Sequence, residues 1–83
     1  MSNTKILMVQ CSLNRITEFG ITTQITWLPI KYAVVGKILE LFDGDKWVNG
    51  WKVVKVYRNT SLIVNEINEL FNQVYKTRKV SDI

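Results

Sequence analysis

Trp27-Leu28-Pro29-Ile30-Lys31-Tyr32-Ala33-Val34-Val35-Gly36-Lys37 is the stretch that decides how this chain folds, and Asn49-Gly50-Trp51-Lys52-Val53-Val54 answers it further along. Pro29 has no N–H to give to a ladder and pushes Leu28 into extended geometry, so a strand ends or bulges there. Ile30 to Val35 is too short for a free-standing helix and reads as a turn or a single helical turn. Gly36 supplies a permissive backbone position from which Lys37 to Phe42 starts a new strand. Asp43-Gly44-Asp45-Lys46 is a turn signal, and the chain re-enters extended structure through Gly50-Trp51.

Upstream of this stretch, Leu7, Val9, Cys11 and Leu13 alternate with Gln10 and Ser12, which predicts a first strand over Lys5 to Asn14. The polar segment from Asn14 to Gly20, carrying Arg15 and Glu18, reads as a hairpin loop. Ile21, Thr23, Ile25 and Trp27 then alternate against Thr22, Gln24 and Thr26 as a half-buried, β-branched second strand.

Downstream, Trp51 to Arg58 reads as another strand with apolar groups on both faces. After Asn59 the period changes. Ser61 suits an N-cap, and Ile63, Ile67, Leu70 and Val74 recur at helical spacing, predicting a C-terminal helix over Leu62 to Lys76. The expected architecture is α+β: a small, curled, barrel-like antiparallel sheet of four to five strands with one C-terminal helix.

Length and composition confine the chain to one domain over residues 1–83, with 77–83 read as a flexible basic tail. The 83 residues are 47% apolar and 22% charged, typical of a folded domain. The single Cys11 gives no disulfide framework and, lying in an alternating strand, reads as a small buried hydrophobe rather than a reactive thiol. No apolar run approaches the roughly 18 residues of a membrane span, and the first residues lack a signal-peptide core. Cytoplasmic localisation is the resulting expectation.

The segment Trp-Leu-Pro-x-Lys-Tyr-Ala-x-Val-Gly-Lys at Trp27–Lys37, with Gly50-Trp51-x-Val53 behind it, resembles small uncharacterised proteins encoded by tailed bacteriophages. The resemblance runs from about Thr22 to Tyr57. The tail from Ser61 and the long Asp43–Asn49 turn depart from it, and no family site transfers to this chain. It implies a small accessory or counter-defence protein acting by binding in the host cytoplasm.

The residue inventory argues against catalysis and against metal or cofactor binding. There is no histidine, and one cysteine makes no thiolate cluster. Asp43 and Asp45 form a close pair with no further ligands at calcium-loop spacing. Glu66 and Glu69 read as a wet helix face, and Gly36-Lys37 lacks the rest of a phosphate-binding loop.

The formal charge of +4 is the remaining functional signal. Lys46, Lys52, Lys55 and Arg58 interleave with Trp47, Trp51 and Tyr57, and cations among aromatic faces suit nucleotides or single-stranded nucleic acid. Trp27 and Trp51 read as core, and Trp47 as the exposed one. The expected site is therefore Trp47, Lys46, Lys52, Lys55 and Arg58, with Tyr32 and Lys37 nearby.

The function this supports is non-enzymatic capture of an anionic, nucleotide-like ligand. The alternatives are inhibition of a host protein through the helix or a sheet edge, or weak nucleic-acid binding. The wide apolar side of the expected helix (Ile63, Val64, Ile67, Leu70, Phe71, Val74 and Tyr75) favours a homo-oligomer.

Overall fold

Alternation carries the first strand past Asn14, because Arg15 and Thr17 continue the parity of Leu13 and find partners across a tight hairpin. In the computed structural model, which describes residues 4–80, β1 spans Lys5–Thr17 and β2 spans Gly20–Pro29. The two pair antiparallel from Met8↔Pro29 to Thr17↔Gly20, leaving only Glu18 and Phe19 as loop. The polar segment expected as loop is thus largely strand. The Thr17 hydroxyl donates to the Gly20 carbonyl at 3.1 Å and accepts the Phe19 N–H at 3.2 Å, which locks the tip.

β2 ends on Pro29, as the missing N–H requires, and a 3₁₀ turn covers Ile30–Tyr32. β3 (Ile38–Phe42) returns through the Asp43–Lys46 turn into β4, a strand of 19 residues from Trp47 to Asn65. After a second 3₁₀ segment, Glu69–Val74, β5 (Thr77–Lys79) pairs with the outer edge of β3. All five strands form one antiparallel sheet in the order β2-β1-β4-β3-β5.

The sheet curls but does not close: among the described residues no ladder joins β2 to β5. Its curl follows from packing. Leu28 on β2 and Leu39 and Leu41 on β3 share one core with Val9, Cys11, Leu13, Ala33 and Val53, although two strands separate β2 from β3. A flat sheet would hold them apart. A second, smaller core on the other face of β1 joins Met8, Val64 and Phe71, with Ile6, Trp27, Leu70 and Val74 against it. β1 is consequently buried on both sides at Met8 and Val9.

The expected C-terminal helix is absent. Residues through Asn65 belong to β4, because the start of β1 offers them a ladder: Lys5↔Asn65, Ile6↔Val64, Leu7↔Ile63 and Met8↔Leu62. Beyond it, the Asn65 and Asn68 carboxamides accept the N–H groups of Ile67 (3.2 Å) and Leu70 (2.9 Å). These local bonds compete with helical ones, and only six residues of 3₁₀ helix result. The apolar positions at helical spacing are divided: Leu70, Phe71 and Val74 serve the second core, whereas Ile63, Ile67 and Tyr75 are exposed. The broad helix face behind the oligomer expectation does not form.

Of the residues read as a basic tail, Thr77–Lys79 make β5; Ser81–Ile83 lie outside the described residues. Two outcomes follow for stability. Phe71→Ala should cost about 3–5 kcal/mol, most of what so small a domain has, and show as a collapse of the urea midpoint. The Thr77 hydroxyl is buried without a hydrogen-bond partner, so Thr77→Val should raise the midpoint, by roughly 1 kcal/mol or more.

Candidate ligand-binding site

Where the curled sheet opens, its interior passes from apolar to polar. Leu13 is followed on the same face of β1 by Arg15. Leu28 is preceded on the same face of β2 by Thr26 and Gln24. Across the curl lie Leu41, Val48 and Trp51 of β3 and β4, with Phe42, Asp43 and Lys46 at the hairpin and Gln73 from the second 3₁₀ segment. Together they line a cavity of about 430 Å³. It is within the range of small-molecule sites.

A bulge in β4 positions the basic wall. Leu39 faces Trp51 but Leu41 faces Val48, so Asn49 and Gly50 together oppose Glu40. Gly50 takes φ +92°, a conformation that residues with a side chain rarely adopt. The Asn49 carbonyl, turned out of the ladder, accepts from Arg15 Nε at 2.8 Å. That bond fixes the guanidinium at the mouth and leaves its terminal N–H groups for another acceptor. Lys46 is held nearby by the turn itself: its N–H donates to Asp43 Oδ1 at 3.3 Å and its carbonyl accepts the Asp43 N–H at 3.0 Å. Two cations and one carboxylate leave the mouth net positive. Trp51 is half-buried, one part against the main core and another in the cavity wall.

The seven residues expected as a site do not converge on one cavity. Lys46 lines the mouth just described. Trp47 opens β4 rather than sitting in a loop, and its ring is half-buried in a clamp. Phe42 meets it edge-on with centroids 5.5 Å apart, and the Arg78 guanidinium lies 4.0 Å over it while bonding Glu40 at 2.8 Å. Lys55 and Arg58 line a second depression with Val34, Val35, Val54 and Val56. The Lys55 ammonium is 5.1 Å over the Tyr57 ring.

Lys52 is exposed on β4 opposite Ile38. Tyr32 packs against the main core, with Lys31 5.1 Å over its ring, and Lys37 reaches the Lys31 carbonyl at 3.5 Å. Arg15, Gln24, Thr26 and Gln73 were not foreseen. Strand parity carried past Asn14 would have found the first, and the parity of Thr26 and Gln24 with Leu28 the next two.

Cys11 is fully buried among apolar side chains. Burial pushes its thiol from the ordinary 9.0 up to about 11, against a smaller opposite pull from Arg58. No group of three or more potential metal-ligating side chains occurs among the described residues. Among the described residues no helix is long and apolar enough to cross a membrane. Neither a protein-family model, nor a curated protein, nor a solved structure matches the chain.

Two measurements check this geometry. Arg78→Ala should red-shift the Trp47 emission while costing no more than about 1 kcal/mol, since the pair is half-exposed. The fold holds the Cys11 thiol neutral, so that contribution is whole below pH 9 and is lost as pH rises from 9 toward 11. Chemical denaturation across that window should show a decline that is smaller in Cys11→Ala.

Proposed function

We propose that the protein is a non-enzymatic binding module that captures a small anionic ligand bearing a planar ring, of nucleotide type, in the open mouth of its curled sheet. The observation that carries this reading is the joint presence of Arg15, Lys46 and the Trp51 ring in one cavity of about 430 Å³. Arg15 and Lys46 meet the phosphate as charge-assisted donors, and the ring stacks against Trp51. Gln24, Thr26 and Gln73 supply hydrogen bonds for the edge of the base. Asp43 disfavours ligands whose charge is spread over the whole molecule. The phage resemblance of Trp27–Lys37 adds counter-defence as the purpose such capture would serve.

Calorimetric titration with nucleoside monophosphates, cyclic nucleotides and the matching nucleosides tests the reading. A nucleotide should bind at least tenfold more tightly than its nucleoside, and Arg15→Ala with Lys46→Ala should remove that difference. Trp51→Phe should weaken binding less than the double change, because a ring remains. Failure of every nucleotide at millimolar concentration overturns the proposal.

A further inference from the structure

The strand β4 is far longer than the strand beside it, and this leaves an edge. β3 accompanies β4 only from Trp47 to Lys52, and the last bonds on that side are Gly36 N–H to the Val53 carbonyl (2.8 Å) and Val53 N–H to the Lys37 carbonyl (2.9 Å). From Val54 onward no strand among the described residues lies along that side of β4. The Ala33–Val35 segment stands off instead, and between it and β4 runs a slot of about 520 Å³.

The slot has two kinds of wall. Val34, Val35 and Val54 give it an apolar lining that is 51, 62 and 37% exposed, while Lys55 and Arg58 stand on the strand side. Cations on a free strand edge are also the ordinary guard against edge-to-edge aggregation. A guard alone requires no valine-lined trough beside it. Of the two terminal strands of the sheet, β5 carries Arg78 and Lys79, and β2 has no charged residue from Gly20 to Pro29; the β4 edge joins its cations to an apolar trough. At the far end Arg58, Asn59, Thr60 and Ser61 bulge out opposite the single residue Val9, since Met8 faces Leu62 and Gln10 faces Tyr57. Thr60 and Ser61 hydroxyls bond the carbonyls of Tyr57 (2.8 Å) and Arg58 (3.1 Å) and fix that bulge. The usable edge is therefore short and bounded: Val54 to Tyr57.

We infer that this slot is a strand-addition site for an extended acidic peptide of a partner protein. The peptide pairs its backbone with Val54–Tyr57, seats alternate apolar side chains against Val34 and Val35, places the intervening carboxylates on Lys55, and meets Arg58, on the other face at the end of the edge, with a terminal carboxylate. A second copy of this chain is a poor occupant of the same edge, since two-fold pairing would gather four cations, Lys55 and Arg58 of each copy, along one short ladder with no carboxylate among them. The site is separate from the mouth lined by Arg15 and Lys46 and does not depend on the ligand proposed there.

The test is selection of a randomised peptide library on the intact protein, with the variant carrying Lys55→Glu and Arg58→Glu as the counter-target. Both side chains are exposed, so circular dichroism should report an unchanged fold. Enriched peptides should alternate apolar residues with Asp or Glu. They should bind the double variant at least tenfold more weakly and slow amide exchange at Val54–Tyr57, and Arg15→Ala should leave them unaffected. No enrichment over the double variant, peptides without acidic residues, or protection confined to other amides would overturn the inference. So would an oligothymidine that protects Val54–Tyr57 where no peptide does.

Discussion

Everything in this molecule depends on β4 serving two neighbours that cannot lie in one flat plane. Its first third must pair with β3, and most of the remainder with β1, while the apolar faces of β2 and β3 must meet over a common core. A straight strand of 19 residues would be roughly 60 Å long and would forbid that meeting. Three irregularities resolve the conflict: at Asn49-Gly50, between Val53 and Lys55, and at Arg58–Ser61. Each lets the strand bend. The polar mouth and the valine-lined slot are both by-products of this bending, one at the first bulge and the other between the second and third.

Much of the sheet was legible because its signals are local. Alternation from Leu7 to Leu13, Pro29 as a stop, and Asp43-Gly44 as a turn all act over a few residues, and each kept its meaning in the fold. The helix was not legible because its pattern is shared. Ile63 and Val64 fit a helical stripe, but as β-branched residues they also suit a strand. The partner that decided between these readings, Lys5–Met8, lies about sixty residues away. Nothing near Ile63 announces it. Trp47 failed to read correctly for the same reason: its exposure is set by Arg78 and Glu40, which reach it only through the β3–β5 ladder.

The candidate site was half legible. Basic residues among tryptophans were visible as a composition, but the bulges scatter that composition over separate surfaces. Lys46 stays at the mouth, whereas Lys55 and Arg58 are carried to the slot. Arg15 completes the mouth from a segment that reads as loop only when the hairpin is assumed to be loose. Its bond to the Asn49 carbonyl gives the bulge a second role, since the same distorted peptide that curves the strand also aims a cation.

The pairing of Lys5 with Asn65 has a consequence in time. The β1–β2 and β3–β4 hairpins close over short loops and can form in microseconds. The β1–β4 ladder between them joins residues as far apart as Lys5 and Asn65, and such distant pairings fold in milliseconds to seconds. On a ribosome, β1 and β2 emerge long before their inner neighbour exists. For that interval the hairpin presents an unsatisfied β1 edge and a β2 edge without a single charge. The chain is therefore most exposed to mispairing as a nascent hairpin, before the strand that bends around it has been made.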